Sequence, residues 1–455
     1  MHDAVLRLIK ALNVLLVAMP FAACWLFYYS QRTVAQPSCL RSAGLIALFM
    51  LLYSFFGRVY DAFYVSLKRI SEMFLSQLIS IVMADGCMFI ILWLLSNAFP
   101  DLAPAVITLV VQAIISCIWC RASHIWYFKR FAGKKAGIIY DVRCGMESLI
   151  SEYGLDKKFD VKSICQIDEC LQNKEQVLEG LEAVFLCDIH SRERNIILKY
   201  CIAHNIVVYM IPRVGDSLMS GAKRMHMFHL PILRAERYNP PFEYVVGKRI
   251  FDILCSLIAI VLLSPLLMVT AVLIKAYDGG PVFYKQTRLT KNGKLFSVLK
   301  FRSMTIDAEK DGVAKLSSGE ADDRVTPIGR FIRAYRIDEL PQLLNIIGGS
   351  MSIVGPRPER PELASVYEKE MPEFALRLQA KAGLTGYAQV YGKYNTIPYD
   401  KLQMDLMYIS NPSFVEDLKI ILATVQVLFQ KESTEGVEQP ANTTKDKPDN
   451  MKKSA

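Results

Sequence analysis

Residues 251–275 read FDILCSLIAIVLLSPLLMVTAVLIK, and how this stretch meets a bilayer decides the fold. No charge falls between Ile253 and Ile274. That is long enough to cross a hydrocarbon core, which takes about 20 residues. A crossing would put everything after Lys275 on the far side. Yet both flanks are basic, with Lys248 and Arg249 before and Lys275, Lys285 and Arg288 after, and basic flanks favour the cytoplasm. Ser264-Pro265 sits at the centre. Proline removes a backbone donor and crowds the preceding turn, while serine can satisfy freed backbone groups. Two forms are open. One is an ordinary kinked transmembrane helix. The other is a re-entrant helix over 250–274 that breaks at Ser264 and Pro265 and returns to the face it entered. The charged flanks favour the re-entrant form, which would hold a domain at the membrane surface.

Upstream, four apolar blocks fill the first 121 residues, at 11–29, 43–56, 76–95 and 102–120. Lys and Arg concentrate at the N-terminus, in the second loop and after the fourth block, whereas the third loop, SNAFPD, has none. The loop charges predict a four-helix transmembrane unit over 1–125 with both ends cytoplasmic. Asp85 lies within the third block, where an acid serves either function or a contact between helices. The first block runs into Trp25, Phe27, Tyr28 and Tyr29 without a small-residue cleavage site, so no cleavable signal peptide is expected. Eleven scattered cysteines, none beyond Cys255, fit reduced thiols facing a cytoplasm. Cys117 and Cys120 form a CxxC inside an apolar block, where helix packing outweighs redox chemistry. The net charge of +9 suits phospholipid headgroups or phosphorylated substrates. No nucleic-acid motif accompanies it, so no nucleic-acid partner is expected.

Residues 135–240 read as a Rossmann-like α/β domain. AGIIY, AVFLC and IVVYMIP are strand-like, SRERNIILKYCIAHN is an amphipathic helix, and the alternation implies a parallel sheet. The text after the first strand, DVRCGMESL, lacks the GxGxxG that cradles a dinucleotide. The domain is therefore read as structural or regulatory, without a cofactor.

Downstream, two β-type runs flank KNGK at 291–294, an Asn-Gly hairpin signal. Lys300 and Arg302 alternate with Phe301 and should share a strand face. Then comes RIDELPQLLN, 336–345. Asp338 is a candidate N-cap before Pro341, which places Asp338 and Glu339 at the positive end of a short helix. That end also receives phosphate. In MSIVGPRPERPE, Gly355, Pro356 and Pro358 make a stiff loop presenting Arg357, suited to bidentate phosphate recognition. Together with Lys300, Arg302 and Arg333, the acids point to a phosphate-handling site with a divalent metal. No cysteine or histidine lies in this part of the chain, so its chemistry rests on carboxylates, hydroxyls, Lys or Arg.

Four motifs in order, KRIFDILCSLIAIVLLSPL, FYKQTRLTKNGKLFSVLKFRSM, RVTPIGRFIRAYRIDELPQLLNIIGGSMSIVGPRPERPE and AGLTGYAQVYGK, resemble the bacterial sugar transferases. These are the monotopic polyprenyl-phosphate hexose-1-phosphate transferases. The resemblance covers about 245–430, and the upstream layout resembles the long form, which includes undecaprenyl-phosphate galactose and glucose phosphotransferases.

The resemblance implies a mainly α catalytic domain over 245–430 with a β-hairpin and the re-entrant helix. It implies transfer of a sugar-1-phosphate from a UDP-sugar to undecaprenyl phosphate with release of UMP. By position, Asp338 matches the nucleophile that forms a phosphosugar–aspartate, and Glu339 the residue that helps hold Mg2+. Arg333 and Arg357 match phosphate-contacting positions, as do Lys300 and Arg302. Arg336, placed with the substrate-binding set, stands where many members have a small polar residue. Asp405 and Tyr408, also placed with the substrate-binding set, fall in a further motif, MDLMYISNPSF. The implied setting is the cytoplasmic face of a bacterial inner membrane, in exopolysaccharide, capsule or O-antigen assembly, with a homo-oligomer as a further expectation. A non-catalytic membrane scaffold for polysaccharide assembly is the alternative. The sugar is not legible, and the polar residues 431–455 read as a disordered tail.

Overall fold

The computed structural model describes residues 2–33, 38–96, 98–142, 145–227, 229–305, 324–392 and 397–428. The tail expected over 431–455 lies outside them. The chain divides into two compact units, Met1–Arg213 and Val214–Ala455.

The first unit opens with α1 (His2–Cys24), continued by a π-helical segment, Trp25–Tyr29, and a 3-10 turn, Ser30–Arg32. Then follow α2 (Cys39–Val59), α3 (Ile70–Leu95) and α4 (Leu102–Arg130). All four are long and apolar enough to cross a membrane, and the chain is a membrane protein. Their polarity runs inward. Leu94 and Ile118 are exposed, while Asn13, Gln77 and Ser116 are buried and bonded to one another. Such side chains link helices where lipid gives no hydrophobic drive. Asp85 lines the interior beside Trp25, Tyr29 and Thr108.

An α/β layer follows: β1 (Lys134–Tyr140), α5 (Met146–Glu152), β2 (Phe159–Gln166), α6 (Ile167–Gln172), α7 (Lys174–Leu178), β3 (Ala183–Cys187), α8 (Ser191–Ala203) and β4 (Val207–Met210). The sheet is parallel in the order β2-β1-β3-β4. Ile139, Val184, Leu186 and Ile197 pack on one face, and Ile138, Ile150 and Phe159 on the other. The starts of the strands adjoin the membrane helices, where Lys158 Nζ donates to Ser66 Oγ at 3.3 Å. β2 went unread in the sequence because it is an edge strand whose exposed Asp160 and Lys162 dilute the apolar pattern.

The second unit starts with α9 (Val214–Met219) and an antiparallel pair, β5 (Lys223–Met227) and β6 (Leu230–Arg234). The long helix α10 (Phe242–Asp278) leads to the hairpin β7 (Phe283–Leu289) and β8 (Leu295–Phe301). The hairpin turns at Asn292 and Gly293, both in the left-handed region (φ 58° and 71°), which Asn and Gly tolerate best. Beyond it come α11 (Pro327–Ala334), α12 (Gln342–Ile347), β9 (Ser352–Val354), α13 (Pro361–Glu370), β10 (Gly383–Thr385), α14 (Tyr387–Tyr391), α15 (Pro398–Ser410) and α16 (Phe414–Leu428). β9 and β10 pair in parallel.

α10 is the fifth helix long and apolar enough to span. It is helical throughout, so Ser264-Pro265 does not interrupt it as the sequence led us to expect. The carbonyl that Pro265 cannot reach is that of Val261, and Ser264 Oγ donates to that carbonyl at 2.8 Å. The serine thus replaces the bond the proline removes. Residues on both sides of Pro265 enter the core of the unit. Ala259 and Ile260 pack with Val298, Leu343 and Ile346; Leu267, Ala271 and Ile274 pack with Phe301, Ile332 and Ile337. The helix start is clamped by Asp417 of α16, which accepts from Tyr244, Lys248 and Tyr408, each at 2.8 Å. One turn on, Asp252 accepts from Ser352 Oγ at 2.8 Å and Ile353 N at 3.1 Å.

Candidate active site

α11 begins at Thr326, whose hydroxyl accepts from Gly329 N at 2.9 Å, with Pro327 in the first turn. It ends at Ala334. Arg336 then adopts a left-handed conformation (φ 53°) and turns the chain into a 3-10 turn, Ile337–Glu339, ahead of Pro341 and α12. This corrects the capping expectation. Asp338 makes no capping bond, because the reversal at Arg336 puts both acids inside the turn, where their side chains are buried.

The two acids have different surroundings. Glu339 Oε1 accepts from Lys300 Nζ and from Arg357 Nη2, each at 2.8 Å, and its Oε2 lies 3.9 Å from Arg336 Nη1. Among the described residues Asp338 enters no ion pair. Burial disfavours the Glu339 anion, but Arg357, Lys300 and Arg336 outweigh it and hold the carboxyl well below its usual range. For Asp338, burial and the adjacent Glu339 charge push the carboxyl up to about 6, against the pull of Lys300, Arg333 and Arg357. One acid is locked as an anion. Its neighbour is desolvated, weakly held and titrates near neutrality, which is how a carboxylate is readied to react.

Arg357 is presented by the loop after β9. A side chain at Gly355 would strike the Lys381 carbonyl, so the chain passes there only as glycine. Arg377 Nη2 donates to the Arg357 carbonyl at 2.9 Å, and Arg288 Nη1 to that of Pro358 at 3.1 Å. Arg377 in turn pairs with Asp405 at 2.7 Å and Glu359 at 3.6 Å.

The structure thus gathers Lys300, Arg333, Arg336 and Arg357 around Asp338 and Glu339. Four cations against two acids leave excess positive charge, which suits a diphosphate. Arg302 is not shared with the acids; beyond the end of β8 it pairs with Asp278 at the foot of α10. Asp405 and Tyr408 are also elsewhere, 1 % and 3 % exposed. Asp405 anchors Arg377, and burial, opposed by Arg377, pushes its carboxyl up to about 6. Tyr408 binds Asp417 and, at 3.3 Å, the Val354 carbonyl. Ser264 and Pro265 lie in mid-helix on α10. Arg377 carries no signal in the sequence, because a lone arginine in LRLQ belongs to no motif, and Glu359 is one of several charges in MSIVGPRPERPE.

No three carboxylate, histidine or cysteine side chains converge on a metal position among the described residues. Asp338 and Glu339 Oε2 remain as oxygen donors, and Mg2+ is often held by one or two carboxylates with substrate phosphates completing the shell. The pair fits such an ion when phosphate is present.

Residues 243–431 match the family model described as bacterial sugar transferase. The chain is 37 % identical over 235 residues to the UDP-N-acetylgalactosamine-undecaprenyl-phosphate N-acetylgalactosaminephosphotransferase of Aeromonas hydrophila, 51 % of this chain and 54 % of that protein. The match therefore spans about half the length of that relative. Identity is 41 % over 187 residues to the UDP-glucose:undecaprenyl-phosphate glucose-1-phosphate transferase of Caulobacter vibrioides, 40 % of this chain and 69 % of that protein. It is 42 % over 192 residues to the exopolysaccharide production protein PSS of Rhizobium leguminosarum bv. phaseoli, 40 % of this chain and 94 % of that protein.

Proposed function

Because the chain belongs to the bacterial sugar transferase family, we propose that it moves a sugar-1-phosphate from a UDP-sugar to undecaprenyl phosphate. The observation that carries this reading is the divided acid pair, with Glu339 held by two cations and Asp338 left to react. An Asp338 oxygen attacks the phosphorus that bears the sugar. The bond from that phosphorus to UMP breaks, UMP departs, and a phosphosugar–aspartate remains. A phosphate oxygen of the lipid then attacks the same phosphorus and restores the Asp338 carboxylate. Arg333, Arg336 and Arg357 bind and orient the diphosphate, and Lys300 keeps Glu339 in place. Mg2+, when bound by Glu339 and the donor, would neutralise charge on the phosphates.

Acceptor access calls for a site beside the lipid surface, and we read α10 as entering and leaving on one face. Its two ends support this. Arg249 donates to the Ile346 and Ile347 carbonyls, each at 2.6 Å, while Asp278 pairs with Arg302. Those partners lie close together, since the adjoining Asn345 accepts from Leu299 N at 2.9 Å, three residues before Arg302. A straight helix would separate Arg249 from Asp278 by about 44 Å. A bend at Pro265 fits these contacts better. The cytoplasmic face of the inner membrane and a role in polysaccharide assembly follow as parts of the same reading.

The deciding experiment supplies purified protein with UDP-sugar, undecaprenyl phosphate and Mg2+. Release of UMP is expected, and release of UDP would reject the reaction. Asp338→Asn should trap no phosphosugar and turn over nothing; an active variant would remove the covalent step. Turnover also separates this reading from a non-catalytic scaffold.

A further inference from the structure

A second constellation of charged side chains lies in the first unit, at the carboxyl ends of its parallel strands. In the order β2-β1-β3-β4 the connections from β1 and β2 run to opposite sides, so the sheet has its switch point between β1 and β3. Open α/β sheets bind ligands at that point. Asp141 follows β1 and Asp188 follows β3. Tyr140 pairs with Cys187, so the two carboxylates stand on adjacent strand ends. Arg213, just beyond β4, donates to the Asp188 carbonyl at 2.9 Å and Oδ1 at 3.2 Å, and its Nη1 lies 2.9 Å from His190 Nδ1. His190 Nε2 is 3.9 Å from Asp141 Oδ2. His190 is also the N-cap of α8, and its own side chain makes no capping bond there. The side chains of Asp141, Asp188 and Arg213 are 24 %, 31 % and 25 % exposed, so a solute reaches them. The membrane helices meet the opposite edge of the sheet.

We propose that this crevice binds a phosphorylated polyol, the chemistry shared by a nucleotide and a sugar phosphate. Neighbouring carboxylates accept hydrogen bonds from vicinal hydroxyls. The Arg213 fork and the α8 N-terminus take a phosphate. Binding exchanges the Arg213–Asp188 pair for phosphate on Arg213 and hydroxyl on Asp188, so neither charge loses a partner. A divalent cation fits less well, because Arg213 already occupies the cationic place beside Asp188. The missing GxGxxG argues only against a dinucleotide pyrophosphate, not against a single phosphate at this end of the sheet.

The test is hydrogen–deuterium exchange on the full chain in detergent, read over residues 188–194 and 211–213. The probes are UMP, AMP, glucose 1-phosphate and inorganic phosphate at equal concentrations. A nucleotide or the sugar phosphate should slow exchange there, and the compound that does so identifies the source. Asp188→Asn should raise the concentration needed by about tenfold, and Arg213→Gln should abolish the effect while Arg213→Lys retains part of it. Protection by none of the four, equal protection by phosphate alone, or protection that survives Arg213→Gln would each overturn the proposal. If Arg213→Gln lowers the ligand-free unfolding temperature, Asp188→Asn decides, and unchanged affinity in that variant would also overturn it.

Discussion

The division of labour between Asp338 and Glu339 predicts a specific pH dependence for the first half-reaction. Only the Asp338 anion attacks, and burial and the Glu339 charge place its carboxyl at about 6. The ionised fraction is then about one in eleven at pH 5 and about ten in eleven at pH 7. The rate constant for UMP release at low UDP-sugar concentration, which reports the free enzyme, should rise about tenfold across that interval and level off above it. Rapid-quench measurement without lipid acceptor isolates this step, and the diphosphate diester of the donor has no group titrating nearby. Lys300→Met removes a charge that favours the Asp338 anion, so the midpoint should move to higher pH. A profile that is flat, or that falls between pH 5 and pH 7, would refute the assignment of Asp338 as an anionic nucleophile raised by burial. An unmoved midpoint in Lys300→Met would refute the electrostatic account of its setting.

Asp338→Asn should abolish turnover yet raise thermal stability above pH 7. A carboxyl raised from 3.8 to about 6 favours the fold fully below 3.8 and loses that contribution as pH rises through 6, about 3 kcal/mol at the limit. Unfolding temperatures at pH 5 and pH 8 check the sign, since about half of the gain should be present at pH 5 and nearly all of it at pH 8. Arg377→Met strands the buried Asp405 and frees the Arg357 carbonyl, so a loss of about 3–5 kcal/mol and slower UMP release are expected; unchanged thermal unfolding would contradict the anchoring role. A reporter fused after Leu428 should lie on the cytoplasmic side together with the N-terminus, and an external signal would mean that α10 crosses the bilayer.

The legible parts of the chain were those where one physical rule dominates. Apolar length gave the membrane helices, Asn292-Gly293 the hairpin, and the contiguous motifs the acids with Lys300, Arg333 and Arg357. Contacts made over long sequence separations were hidden. Arg302 alternates with Phe301 just as Lys300 does, yet it is taken by Asp278, the last residue of α10, 24 positions upstream. Asp405 and Tyr408 read like ligand-binding residues but are buried as supports for Arg377 and α16. The expected cap at Asp338 failed because sequence does not announce a left-handed arginine two residues earlier.

The two flanks of Pro265 are part of the hydrophobic core of the second unit, not a tether attached to it. Cutting the chain after residue 278 to obtain a water-soluble enzyme would therefore uncover Val298, Ile346, Phe301 and Ile332 at once. Membrane attachment and folding are in this sense a single event. A detergent that strips lipid from α10 should loosen the catalytic chemistry along with the anchorage, and activity lost on extraction should return when bilayer is restored.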